Sequence, residues 1–196
     1  AVDYLRRPRR RPFFMMVSLA PPRGDLDEVP TLEPYTVEDW PREQKQYAAM
    51  ISRVDEAVGE ILDELYHRDM KENTVVVLTS DNGPHKEGVN PEYFNSNGPF
   101  NGIKGSLHEG GIRVPMIVWG PSGIIRAAGG TSHHVWWAPD VMPTLLDLVQ
   151  AWRQPHYMDG ISQLDVWEGS VASIERTHFY WELHEDEFVQ EVRMGK

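Results

Sequence analysis

Between positions 47 and 65 the residues Tyr47, Met50, Ile51, Val54, Ala57, Val58, Ile61, Leu62 and Leu65 recur at steps of three and four. That spacing is one face of a 3.6-residue period, and with Pro41 near its start it predicts a long amphipathic helix. Upstream, Phe13 to Leu19 is a continuous apolar run bounded by arginines and by Pro21-Pro22, and it predicts a buried strand. Downstream, Thr74 to Thr79 is a short β-branched run ending at Ser80-Asp81-Asn82-Gly83, a second strand. Strand, long helix and strand form a βαβ unit. The expected class is therefore α/β, with a mixed, largely parallel sheet flanked by helices.

The intervening residues 20–41 are rich in proline and acid and lack a period, so they read as a loop. Residues 81–111 are punctuated by seven glycines and three prolines. A connection of that length inside a compact domain is uncommon and usually functional. Strand character resumes over Ile112 to Trp119, where Pro115 suggests an edge or a bulge. Ala138 to Ala151 predicts a second helix with Pro139 in its first turn. Thr177 to Leu183 and Phe188 to Arg193 flank a polar turn, a small C-terminal antiparallel sheet. The division this suggests is an α/β part over residues 1–170 and the start of an antiparallel subdomain over 171–196.

The 196 residues are room for one domain or little more, and 40% hydrophobic content is enough for a sizeable core. The absence of cysteine excludes a disulfide, a thiolate metal site and a cysteine nucleophile within these residues. No apolar run approaches the roughly 20 residues of a membrane span. No charged-then-apolar leader opens the chain. Five arginines against Asp3 give residues 1–11 a balance of +4, so the remainder carries −15 of the net −11. An acidic body is a poor nucleic-acid partner, and the arginine run reads as a solvated segment leading into the first strand.

Asp81 and Asn82 follow a predicted strand, where open α/β sheets place their ligand crevices. A carboxylate beside an amide carbonyl supplies two hard oxygens suited to Ca²⁺ or Mg²⁺, short of the six to eight that calcium takes. Asp-Asn-Gly is equally good chemistry for a plain turn. Lys104, in Asn101-Gly102-Ile103-Lys104-Gly105, is either a cation that neutralises an anionic oxygen or a surface lysine. His85 is a candidate acid or base just past the turn. Arg113 reads as a structural partner for a nearby acid. His133-His134 has no metal spacing, and neither a phosphate-binding glycine loop nor a zincin pair is present.

Taken in order, Thr79-Ser80-Asp81-Asn82-Gly83-Pro84, Gly102-Ile103-Lys104-Gly105 and His108-Glu109-Gly110-Gly111-Ile112-Arg113-Val114-Pro115 resemble the carboxyl-half signature of the sulfatase family. Ala138-Pro139-Asp140-Val141-Met142-Pro143-Thr144-Leu145, Asp159-Gly160-Ile161-Ser162, Tyr180-Trp181-Glu182 and Val192-Arg193-Met194-Gly195 resemble its later segments, so the likeness runs over roughly residues 12–196. The resemblance implies an alkaline-phosphatase-like fold and hydrolysis of sulfate esters on a sulfated small molecule or glycan. It also implies a calcium ion (or Mg²⁺) held in part by Asp81 and Asn82, and sulfate binding by Lys104. The family's formylglycine nucleophile arises from a C/S-x-P-x-R motif. That motif and an upstream Asp pair are absent here, so an N-terminal sulfatase segment is the expected partner and the chain alone is expected to be inactive. Where the family has Pro-His at the end of its strand, Pro22-Arg23 stands, which makes Arg23 a candidate sulfate ligand but not a neutral proton acceptor. A phosphatase or phosphonate hydrolase of the same superfamily, or a non-catalytic relative, are the alternative readings. Sulfatases are commonly periplasmic, secreted or lysosomal.

Overall fold

The computed structural model describes all residues except 25–28, 30, 127–128, 186–187 and 195–196. The middle of the expected proline-rich loop, two positions of the hairpin turn and Gly195 thus lie outside the described residues. The chain divides into two compact units, one of residues 1–72 and 79–116, the other of 73–78 and 117–196.

In the first unit, α1 (Val2–Arg6) packs on α2 (Arg42–His67), the long helix that the apolar period predicts. Leu5 and Leu65 are buried to 1% and 2% exposure. Arg6 clips the contact through Glu64 at 3.2 Å, and Glu64 also takes Arg68 one turn on. A short 3-10 turn over Tyr35–Val37 rests on α2 through Tyr35 Oη and Ser52 Oγ, 2.8 Å apart. Trp40 stacks on Tyr35 and meets Phe94 edge-on, which ties the 91–100 turns to the entry of α2. The described residues contain no helix long and apolar enough to cross a membrane.

Phe13 to Leu19 is not a strand. Phe14 and Met16 are 76% and 79% exposed, and no described strand lies beside the run. An apolar run becomes a buried strand only when its N–H and C=O groups find a ladder, and here they do not. The Arg9 guanidinium covers the Tyr4 and Phe13 rings instead, 4.1 and 4.9 Å from their centroids.

In the second unit β1 (Val76–Thr79, its last residue counted with the first unit) is hydrogen-bonded to β2 (Met116–Trp119), a two-stranded sheet. The broad sheet expected from the βαβ pattern is not assembled among the described residues. β2 begins four residues later than the pattern predicts. Glu109–Ile112 coils into one helical turn (α3), which the Arg113–Glu109 ion pair at 2.9 Å closes. That is the structural role expected of Arg113. The helix expected over Ala138–Ala151 is a 3-10 turn, Ala138–Asp140, running into α4 (Val141–Leu148). Prolines at 139 and 143 remove two N–H donors near its start, and Gln150 at φ 51° ends it in the left-handed region. Beyond α5 (Leu164–Trp167), β3 (His178–Leu183) pairs antiparallel with β4 (Val189–Met194), with Tyr180 opposite Val192, as the hairpin reading predicts.

Asp140 organises this unit. It is fully buried and accepts hydrogen bonds from Ile161 N, Trp137 N and Gln163 Nε2, and it is paired with Arg176. Gln163 Oε1 in turn meets His134 Nε2 at 2.6 Å. Each carboxylate oxygen therefore has two donors, the condition under which a buried charge is tolerated.

Candidate functional site

β1 delivers the chain to Ser80-Asp81-Asn82-Gly83. Thr79 Oγ1 donates to Pro115 O at 3.0 Å and Ser80 Oγ to Asn82 O at 3.1 Å, fixing the approach to the turn. Asn82 Nδ2 donates to Gly83 O at 2.8 Å. With the nitrogen so engaged, Asn82 Oδ1 is the end of the amide left to meet a ligand. Asp81 is exposed, and its carboxylate carries no hydrogen bond or ion pair among the described residues.

The loop that follows returns to this turn. Gly83 N–H donates to Gly111 O at 2.8 Å, and Lys104 N–H donates to Pro84 O at 2.8 Å. Between them Gly110 N–H reaches Asn101 O at 2.7 Å, and Asn97 Nδ2 donates to both Phe100 O and Gly102 O. Backbones meet so closely that a Cβ on Gly83 would lie 2.0 Å from Gly110 O, and one on Gly111 2.0 Å from Ser106 O. Gly102, at φ +86°, makes the left-handed bend that sets up Lys104. The Lys104 side chain is exposed and forms no ion pair among the described residues.

Arg23 is brought to the same loop. Gly24 lies against Glu87 so tightly that a Cβ there would be 2.8 Å from Glu87 Cβ, and Arg23 itself is exposed. His85 turns inward: both ring nitrogens are buried without a partner, and the ring meets Tyr47 of α2 edge-on at 6.2 Å between centroids. Burial of Tyr47 raises its hydroxyl above the usual tyrosine pKa. Asp81, Asn82, His85, Arg23 and Lys104 thus all belong to the first unit, and the backbone at Pro84 joins the Asp81-Asn82 turn to Lys104.

For a divalent cation, the donor set fits in kind and falls short in number. Asp81 and Asn82 offer two hard oxygens, and no group of three or more His, Cys, Asp or Glu suited to a metal occurs among the described residues. The sequence motifs named the chemistry-bearing residues, but not the glycine contacts that hold them. Nor did sequence spacing point to Gln44, whose buried side chain donates to Asn90 O at 3.2 Å. Its position on the apolar side of α2 was the available signal.

The sulfatase family profile matches residues 1–151. N-acetylgalactosamine-6-sulfatase of Canis lupus familiaris is 31% identical over 186 residues, covering 92% of this chain and 33% of that protein. Arylsulfatase G of Rattus norvegicus is 30% identical, covering 87% of this chain and 32% of its own length. The crystal structure of Ps i-CgsB superposes with a TM-score of 0.68 at 29% identity, over 79% of this chain and 33% of the other. The α/β fold of these neighbours is shared, and the chain spans about a third of the curated relatives it matches. With the family profile covering most of the sequence, this chain belongs to the sulfatase family.

Proposed function

We propose that this chain supplies one wall of a sulfatase active site that hydrolyses sulfate esters, the nucleophile being carried on an N-terminal sulfatase segment. The observation that carries the reading is the Lys104 N–H to Pro84 O bond, which brings the lysine's backbone two residues from Asn82 on the opposing strand of the loop. A sulfate placed there has a flexible ammonium on one side and two oxygen donors on the other. Lys104 neutralises a sulfate oxygen in the ground state and more strongly as charge grows in the transition state. Asp81 and Asn82 would hold Ca²⁺, or Mg²⁺, which when bound supplies Lewis-acid polarisation. Arg23 adds a second cationic ligand for the anion, and its fixed charge excludes it as a base. His85, whose ring turns inward against Tyr47, is the candidate acid or base. The relatives' names, an N-acetylgalactosamine-6-sulfatase and an arylsulfatase, extend the substrate class to a sulfated glycan or small molecule.

Titration of the isotope-labelled chain with inorganic sulfate in the presence of calcium tests this. The expected result is a response at the amides of residues 81–84 and 103–105, lost in Lys104→Ala and Asp81→Ala. A response confined to other residues, or one unchanged in both variants, overturns the shared site.

A further inference from the structure

Residues 6–12 read Arg6-Arg7-Pro8-Arg9-Arg10-Arg11-Pro12, a basic run outside the sulfate-binding turn. α1 ends at Arg6, and Arg7 is already extended, at φ −75° and ψ 134°. Residues 8–12 take part in no backbone hydrogen bond among the described residues. The prolines at 8 and 12 have no N–H to offer, and they bias Arg7 and Arg11 toward extended backbone. Arg7, Arg10 and Arg11 are exposed and form no ion pair among the described residues. Arg9 is half-buried, with its guanidinium over the Tyr4 and Phe13 rings and both terminal nitrogens without a hydrogen-bond partner. Its release from the rings therefore breaks no hydrogen bond at those nitrogens. An exposed segment of this kind, free of backbone pairing, is where a protease gains access to a folded chain.

We propose that this segment is a processing site, cut between Arg10 and Arg11 by a serine endoprotease whose pockets take arginine at the first, second and fourth positions before the bond. Extended backbone puts Arg7 and Arg9 on one side and Arg10 on the other. Three separate carboxylate-lined pockets can then each take one guanidinium through paired, charge-assisted hydrogen bonds. The other bonds of the run fit less well. Arg7–Pro8 and Arg11–Pro12 lead into proline, whose ring and missing N–H do not suit a cleft that pairs with the substrate backbone. Arg6 closes α1 and is held by Glu64 at 3.2 Å, which protects the bond after it. A cut after Arg9 would call on that same Arg6 at the fourth position and put Pro8 at the second. At Arg10–Arg11 the protease adds one water: its oxygen joins the Arg10 carbonyl carbon, the C–N bond breaks, and both protons end on the Arg11 nitrogen. A carboxylate and an ammonium result. α1 is then held on α2 by non-covalent contacts alone, chiefly the buried Leu5 and the Arg6–Glu64 pair.

The test incubates the folded chain with furin, a protease of that specificity, and reads the products by intact mass and by sequencing of the new amino terminus. The expected result is one cut, giving a product that begins at Arg11. Arg7→Gln and Arg10→Gln should each slow the cut by at least about tenfold, because each empties one charged pocket, while Arg11→Gln should change it by less than about threefold. All three side chains are exposed and unpaired, so the variants keep the fold of the parent. A chain that stays intact overturns the proposal, as does a first cut at any other bond. A cut after Arg10 whose rate is unchanged in Arg7→Gln overturns the recognition pattern and leaves only an accessible loop.

Discussion

Glu64 sits between two arginines, and Arg68 does more to it than Arg6. The hydrogen bond from Arg68, then that from Arg6, hold its carboxyl below the ordinary glutamate pKa despite some desolvation in the opposite direction. A lowered folded value means that stabilisation is complete above the unfolded pKa of about 4.3 and is lost as pH falls through the folded value. Glu64→Gln should therefore lower stability slightly at neutral pH, where the ionised carboxylate contributes, leave it unchanged below the folded value, and so flatten the acid limb between them. Chemical denaturation at several pH values reads this directly. Asp140 matters through its burial: it is fully buried with four donors, Arg176 among them. Asp140→Ala strands the arginine and the Gln163 amide, and a loss of about 3–5 kcal/mol is expected from removing one partner of a buried pair. A loss below 1 kcal/mol in urea melts would mean that water replaces the carboxylate.

The elements divide by whether their stability is local. α2 was legible because its period repeats over 26 residues and each apolar step reinforces the next. Leu65→Ala should cost about 2–5 kcal/mol, since Leu65 is 2% exposed and its void lies under α1. Hydrogen exchange should then show α1 opening before the middle of α2. The hairpin β3–β4 was legible for a similar reason, two alternating runs around a polar turn. Phe13–Leu19 was misread because an apolar run records what a segment can bury, whereas a strand also needs a ladder, and the run contains no information about its neighbours. The turn at 81–84 and its meeting with Lys104 stand in short motifs that the sequence shows, whereas the glycine contacts that join them do not. The Asp140–Gln163–Arg176 network was not, because its members are 23 and 13 residues apart and the motifs at 138–145 and 159–162 do not say that they meet.

At the scale of the molecule, the chain spans about a third of the relatives it matches, and the function proposed above places the nucleophile outside it. The expected outcome is no turnover of p-nitrophenyl sulfate by the purified chain above a Lys104→Ala control. Activity that appears when an N-terminal sulfatase segment is added, and that is lost again with Lys104→Ala, is the expected gain of function. Turnover by the chain alone would require a nucleophile among residues not assigned a role here. The meeting of Gly83 with Gly110 and of Gly111 with Ser106 bears on how such a protein diversifies. At those positions the frame is specified by the lack of a side chain, so no substitution there is silent and none can be compensated by repacking a neighbour. Asn97 and Gly102 hold the loop in other ways, by side-chain hydrogen bonds and a positive φ. Variation at an exposed position such as Lys86 leaves that frame in place.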